Sequence, residues 1–383
     1  MSKKNPDSGP ESGQGRAAMQ SPPYVVNDLL PDIILKNEQG SFVRVSFEMT
    51  GRKLLLLLCP DPALPACRSL LEAFAARADQ LETLAHTYVI TNCEPEENRT
   101  FLEQANLPCL LLSDSQRQVA QGLAIDHNLK PATADGDGAF TVVVADENRR
   151  VTLIERNLVE AEAAVRMLEF LQRASSPIPK SLGHFAPVLY VPQVLEPDFC
   201  RELIEAFEAG DPMEGHTYSH DGNAGRHVVD PDYKIRRDFY VTDRSLLDRL
   251  RLRMLRRVIP EIAKALTRQV TGIEEFKVVC YEGTRGGHFS AHRDNNSKHH
   301  AHRRFAMTLN LNTGFEGGAL RFPEYGPDLY SPDAGDAVIF SCSMLHEAMP
   351  VTSGQRFVLL SFLFDEESRQ FNDRFRRQAP PGA

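Results

Sequence analysis

The sequence predicts two domains of different class: an α/β domain first, then an α+β domain whose strands suggest a sandwich or jelly roll. Three observations carry this. Between about residues 29 and 172, strand-sized apolar runs alternate with segments of helical period. Beyond residue 275 the apolar period switches to two. Between them lies ASSPIPKSLGHFAP, residues 174–187, with three prolines and three serines in fourteen residues, the composition of a domain boundary.

In chain order, residues 1–23 are rich in Ser, Gly, Pro and Lys and read as a disordered tail. The α/β domain, residues 24–173, begins its core at Leu54–Leu58, an apolar run stopped by Cys59-Pro60. Ala66–Leu84 carries Leu70, Leu71, Phe74, Ala78 and Leu81 at helical spacing and is expected to be a helix. A strand at Tyr88–Thr91, a helix at Glu96–Gln104, a strand at Cys109–Leu112 and a short helix at Gln116–Gly122 follow. Phe140–Ala145 and Val151–Ile154, split by Asp146-Glu147-Asn148, form a hairpin, and Val159–Gln172 closes the domain as a helix. Strands separated by helices imply parallel pairing. After the linker, residues 174–186, the second domain spans residues 187–367. It opens with Pro187–Pro192 and a helix over Pro197–Ala209, continues through a Gly-, Asp- and His-rich loop at 210–232, and reaches a long helix, Leu246–Leu266, that Pro260 divides. Strands are expected at Glu275–Tyr281, Phe305–Leu311, Ala319–Phe322, Ala337–Ser341 and Phe357–Phe364. Residues 368–383 form a polar tail.

The chain has 383 residues, 42% hydrophobic and 25% charged, with net charge −9. This is the balance of a globular protein with sizeable cores, not of a disordered or collagen-like chain. The acidic total argues against nucleic acid as a partner. No apolar run approaches the roughly 18–20 residues of a membrane span, so no membrane association is expected. Seven cysteines, an odd number with no CxxC pair, suit a reducing, cytoplasmic setting better than a disulfide framework.

The chemistry concentrates in the second domain. In an extended His292-Arg293-Asp294, residues i and i+2 share a face, so both side chains can reach one ion. His346 lies 52 residues beyond Asp294, after a strand that a barrel can bring alongside. Two imidazoles and one carboxylate suit non-haem Fe(II) and leave positions open for co-substrate and oxygen. Ten residues on, Arg356 begins an apolar strand. A buried guanidinium needs a carboxylate, which a dicarboxylate co-substrate would supply. Tyr281, eleven residues before His292, could hydrogen-bond the same molecule.

The stretch VVCYEGTRGGHFSAHRDN, followed by GGALRFPEYG and AGDAVIFSCSMLHEAMPVTSGQRFVLLSFLF, with the lead-in APVLYVPQVLEPDFCRELIEAF, resembles prolyl 4-hydroxylase-type Fe(II)/2-oxoglutarate dioxygenases over most of residues 185–365. The resemblance implies a double-stranded β-helix, metal ligands at His292, Asp294 and His346, a 2-oxoglutarate anchor at Arg356 and a further contact at Tyr281. It also implies O2 as co-substrate, ascorbate as a supporting reductant, and oxidative decarboxylation of 2-oxoglutarate to succinate and CO2 coupled to hydroxylation of a substrate C–H. Asp294 stands where the family's halogenases carry a small residue, so hydroxylation is the implied outcome. A prolyl or other side chain of a peptidyl substrate, and a small metabolite, all remain open.

In the first domain, Cys67 sits at a strand-to-helix junction, PDPALPAC, where a helix N-terminus would lower its pKa. Residues 29–172 resemble a peroxiredoxin, a thioredoxin-fold thiol peroxidase, with Cys67 at the peroxidatic position. Two departures stand out. Leu64 replaces the family's Thr, and Ala139-Phe140 stands where its Arg is expected. The expectation is a degenerate peroxiredoxin. The rivals are a thiol peroxidase to which the dioxygenase domain is accessory, and a non-enzymatic module that docks a protein partner. Cys59, Cys93 and Cys109 are read as core residues rather than resolving thiols.

Two features are weighed as non-functional. Lys234–Arg257 holds nine basic residues and three acidic ones, with Arg249, Arg253 and Arg256 along one face. It reads as a solvated face rather than a phosphate-binding patch. His299, His300 and His302 read as surface residues beside the site mouth, and Asp336 as a turn residue.

Overall fold

The computed structural model describes residues 22–49, 51–105, 107, 109–123, 140–158, 161–173, 183–215, 217–221, 224–297 and 300–370. Residues 1–21, 174–182 and 371–383, which hold most of the expected tails and linker, lie outside the described residues, as do Ala139 and His299. The chain divides into two compact units at residue 175, with residues 27–29 belonging to the second.

The first unit runs β1 (Ile34–Asn37), β2 (Phe42–Arg44), α1 (Val45–Glu48), β3 (Lys53–Leu58), α2 (Pro65–Ala75), α3 (Ala78–Leu84), β4 (Ala85–Thr91), α4 (Pro95–Ala105), β5 (Leu111–Ser113), α5 (Gln118–Gly122), β6 (Phe140–Ala145), β7 (Val151–Leu158) and α6 (Ala163–Arg173). Its sheet has the order β2-β1-β5-β4-β3-β6-β7. Strand β3 pairs parallel with β4, and β4 with β5; β6 is antiparallel to both β3 and β7. The unbroken leucines of β3 follow from burial on both faces. Leu55 and Leu57 join one apolar cluster, and Leu54, Leu56 and Leu58 the other. The single helix expected over Ala66–Leu84 is two helices. Arg77 leaves helical geometry at φ −120°, ψ 11°, and its guanidinium donates to Ala73 O at 2.8 Å, closing the end of α2.

The second unit begins with β8 (Leu189–Val191), α7 (Pro197–Ala209), β9 (Met213–Glu214), β10 (Thr217–Asp221), β11 (Ala224–Val228), β12 (Lys234–Ile235) and β13 (Arg237–Tyr240). Next come α8 (Arg244–Arg253), a wide turn over Met254–Val258, α9 (Ile259–Leu266), β14 (Gly272–Ile273), β15 (Lys277–Glu282), β16 (His288–His292) and β17 (Phe305–Asn310). It ends with β18 (Glu316–Gly317), β19 (Leu320–Arg321), β20 (Leu329–Tyr330), β21 (Ala337–Ser341), β22 (His346–Ala348), β23 (Val351–Ser353) and β24 (Gln355–Phe364). One sheet has the order β8-β21-β17-β24-β15-β13-β9, with β14 also on β24; the other is β12-β16-β22-β19-β20. The loop expected over 210–232 contains the hairpin β10–β11. The long helix is interrupted by the π-type turn, and Pro260 falls in the first turn of α9, where its missing N–H costs nothing.

The basic stretch is not a solvated face. Arg249 pairs with Glu202 at 2.7 Å and Arg253 with Glu196 at 2.8 Å. Arg256 and Arg257 are buried and share Asp28 at 3.1 and 2.9 Å, and Arg257 also reaches Glu196 at 2.8 Å. The arginines are internal ties of this unit. Truncating one member of such a cluster strands the others' charges. Arg257→Ala is therefore expected to destabilise the fold by about 3–5 kcal/mol. An unchanged midpoint in urea-induced unfolding would show that the cluster contributes nothing.

All seven cysteines are free. No helix among the described residues is long and apolar enough to cross a membrane.

Candidate metal centre

Strands β16 and β22 bring the two histidines together. Their register pairs Phe289 with Ala348 and His292 with His346. Three residues on β16 therefore span two on β22, and this bulge re-aims His292 toward its partner. The imidazole centroids lie 4.3 Å apart. Asp294, two residues past His292, turns in between them. Its Oδ1 is 3.5 Å from His292 Nε2 and its Oδ2 3.3 Å from His346 Nε2. The three residues' ligand atoms all lie within 4.8 Å of one another, a geometry that could hold a metal ion.

The tautomers follow from the partners. His292 Nδ1 is 2.8 Å from Ser290 O, and His346 Nδ1 is 3.1 Å from Met344 O. A carbonyl only accepts, so Nδ1 carries a proton in each ring, and Nε2 is the nitrogen that faces Asp294 and is left to ligate a metal. Phe289 stacks on His292 with centroids 3.6 Å apart, and Phe340 packs edge-on against His346 at 4.6 Å, fixing both rings. Burial pushes the His346 imidazole below its usual range and so favours the neutral ligand form. Burial opposes the Asp294 carboxylate. The His292 hydrogen bond and the nearby His346 outweigh it, leaving this pKa lowered. Two neutral imidazole nitrogens and one carboxylate are the donor set that suits Fe(II), and the residues present fit that ion.

Arg356 enters from β24, paired across the ladder with Tyr281 of β15. Its Nε and one terminal nitrogen donate to Asn310 Oδ1 at 3.0 and 2.9 Å. It is 3% exposed, and among the described residues it forms no ion pair with a carboxylate. Burial accordingly lowers its pKa to about 10. Room for it comes from Gly318. A Cβ there would lie 2.9 Å from Arg356 Cδ and 2.7 Å from Val351 Cγ2, at a φ of +68° that favours glycine. Tyr281 lies beside both Arg356 and Arg236; its hydroxyl accepts from Arg236 at 3.1 Å, and Arg236 pairs with Asp238 at 2.8 Å. Arg236, Lys277 and Arg356 line this end of the cavity. Burial, aided by Arg236, brings the Lys234 amine down to about 7. The cavity holding the triad, Arg356 and Tyr281 is otherwise lined by apolar groups, including Met307, Leu320, Leu360 and Phe362.

Asn310, Arg236, Asp238 and Phe289 were not singled out from sequence. His302 is not a surface residue: its Nε2 lies 3.0 Å from Glu274, beneath the Phe364 ring edge. Asp336 accepts from Gln193 N at 2.7 Å and Tyr190 Oη at 3.0 Å, a structural role.

In the first unit, Cys67 is the third residue of α2 and wholly buried, and Leu64 is the helix N-cap with no side-chain cap bond. Its pKa is lowered, chiefly by a hydrogen bond from Cys59 rather than by a cation.

Comparison with known families agrees with this division. Residues 276–364, which hold the whole constellation, match the 2OG-Fe(II) oxygenase superfamily. Residues 26–153 match the AhpC/TSA family. The chain thus carries a 2OG-Fe(II) oxygenase domain at its C-terminus and an AhpC/TSA domain at its N-terminus. Among solved structures, a peroxidoxin from Mycobacterium tuberculosis is 20% identical over 39% of this chain and 98% of its own, with a TM-score of 0.34. A Trichoplax adhaerens prolyl hydroxylase, solved with a hypoxia inducible factor oxygen degradation domain peptide fragment, is 19% identical over 48% of this chain and 86% of its own, with a TM-score of 0.35. A Pseudomonas putida prolyl-4-hydroxylase is 19% identical over 47% and 92%, with a TM-score of 0.35. No curated protein matches the chain.

Proposed function

We propose that the protein is an Fe(II)- and 2-oxoglutarate-dependent dioxygenase that hydroxylates a C–H of a peptidyl or small-molecule substrate. The observation that carries the reading is Arg356, a buried guanidinium with no carboxylate partner among the described residues, in one cavity with a two-histidine, one-carboxylate cluster. A dicarboxylate co-substrate matches that demand. We read the second unit's two facing sheets as a double-stranded β-helix.

Bound iron with O2 would supply the oxidising chemistry that converts 2-oxoglutarate to succinate and CO2 as the substrate is hydroxylated. The chain's own residues bind, orient and shield. His292, Asp294 and His346 would hold the metal, a donor set of three that does not fill its coordination sphere. Arg356 takes the distal carboxylate of 2-oxoglutarate, with Asn310 holding the guanidinium in position. Tyr281, its hydroxyl already accepting from Arg236, turns its own proton toward the same region. Phe289, Phe340, Leu360 and Phe362 keep water from the reacting centre. Ascorbate would serve to keep the metal reduced. The test is succinate release over a panel of peptides and amino acids with Fe(II) and ascorbate. A substrate that stimulates release and gains one oxygen atom supports the reading; a hydroxylated product formed without 2-oxoglutarate contradicts it.

The first unit is read as a peroxiredoxin-type domain without efficient peroxidase turnover. The charged group that acts on Cys67 is Asp61, an anion, and Leu64 offers no hydroxyl for a peroxide. Cys67→Ser is therefore expected to leave succinate formation nearly unchanged. Rapid thiol-dependent peroxide loss that disappears in this variant would instead make the protein a bifunctional enzyme.

A further inference from the structure

The cavity that holds the triad carries more positive charge than a dicarboxylate co-substrate answers. Arg236, Lys277 and Arg356 line it, and Asp294 is the single carboxylate among the described residues that do so. Arg356 is tethered to Asn310 at 3.0 and 2.9 Å. Arg236 has a counter-ion in Asp238: its Nε lies 2.8 Å from Oδ1, and a terminal nitrogen donates to Oδ2 at 3.1 Å. Both oxygens of Asp238 are thereby engaged. Lys277 is the cation left over. Its Nζ stands 3.9 Å from Asp238 Oδ2, beyond hydrogen-bond reach, and 5.3 Å from the centre of the Tyr240 ring. Among the described residues this amine donates no hydrogen bond.

Strand geometry explains how a lysine comes to stand there. Along β15, Val278 and Cys280 pack into the apolar cluster on the outer side of the sheet. By the period of two, Lys277, Val279 and Tyr281 share the other face, the one that lines the site. Burial pulls the Lys277 amine below its usual range, and the neighbouring Arg236 adds to this. The position also separates Lys277 from the co-substrate anchor. Tyr281 faces Arg356 across the ladder, whereas Lys277, four residues earlier, faces Leu360. At about 3.3 Å per residue, the backbones of the two cations lie about 13 Å apart along the sheet.

We infer that Lys277 binds a carboxylate of the substrate, which makes the substrate class carboxylate-bearing: a free amino or organic acid, or an acidic side chain of a peptide. The inference deepens the dioxygenase reading and rests on it. 2-Oxoglutarate brings two carboxylates; Arg356 answers one and the metal cation the other, and Lys277 is left without an anion. A substrate carboxylate supplies the missing acceptor in a cavity whose remaining lining is largely apolar. The amide of the same acid would leave the ammonium buried and unpaired, so the site discriminates by charge. Lys277 is a specificity residue. It orients the substrate through a group remote from the C–H that reacts.

The test is calorimetric titration of the full-length protein, loaded with Fe(II) and 2-oxoglutarate and kept under nitrogen so that nothing turns over. The probes are matched pairs: free amino acids against their carboxamides, simple organic acids against their amides, and capped peptides carrying Asp or Glu against those carrying Asn or Gln. The expected result is an acid that binds at least about tenfold more tightly than its amide. The pair that shows it tells a free acid from a peptidyl one. Lys277→Met should erase that preference and leave the affinity for 2-oxoglutarate unchanged, and Lys277→Gln repeats the comparison if Met disturbs the fold. No acid preferred over its amide, or a preference that survives in both variants, would overturn the inference. So would a loss of 2-oxoglutarate affinity in the variants, which would make Lys277 a co-substrate contact. Failure of 2-oxoglutarate to bind the wild type would instead sink the dioxygenase reading. The comparison of acid with amide, repeated with metal alone, would still decide the role of Lys277.

Discussion

The wild type is expected to bind one Fe(II) per chain, and replacing His346 or His292 by Ala is expected to abolish that binding. Each ring presents its Nε2 beside Asp294, and each is held by a carbonyl behind it and an aromatic ring alongside. Losing an outer partner of a ligating His typically costs about 10–100-fold in affinity; losing the ligand itself should cost more. Metal analysis after desalting checks this, with circular dichroism to show that the variants fold. Iron undiminished in both variants would mean that the cluster is not the metal site. Asp294→Ala should weaken binding less, because two imidazoles remain. Asp294→Gly opens the carboxylate's position and could admit halide there.

The second large effect is at Arg356. Arg356→Ala should raise the 2-oxoglutarate requirement while iron stays bound, since the guanidinium bonds to Asn310 and not to the triad. Truncating one partner of a buried charge pair costs on the order of 2–5 kcal/mol. The apparent affinity for 2-oxoglutarate should therefore fall by at least about tenfold. Titration of 2-oxoglutarate against the iron-loaded variant measures it, and an unchanged affinity would assign the anchor to another cation of the same cavity, Arg236 or Lys277.

The residues that meet in the candidate site were readable because their logic is local. His292 and Asp294 share a face by strand geometry, and Arg356 declares itself as a charge at the head of an apolar strand. What the sequence hid depends on register and on partners far along the chain. Asn310 alternates with apolar neighbours and looks solvent-facing. Strand β17 in fact lies between β21 and β24, and Asn310 meets Arg356 on the face that lines the site. The bulge that turns His292 inward has no residue signature of its own. The arginines of α8 and the turn after it looked solvated because Glu196, Glu202 and Asp28 are 47 to 229 residues away. The break between α2 and α3 escaped for the opposite reason: Leu70, Phe74, Ala78 and Leu81 keep helical spacing across it, without a glycine or proline to mark the end.

The most direct measurement is release of labelled CO2 from 2-oxoglutarate carrying label in its C1 carboxylate, by the full-length protein with Fe(II). In air the wild type should release label with an equal amount of succinate, and release should stop under nitrogen, with chelator, or in His346→Ala. Label released equally under nitrogen or by His346→Ala, or none released by iron-loaded wild type across the substrate panel, would contradict the account.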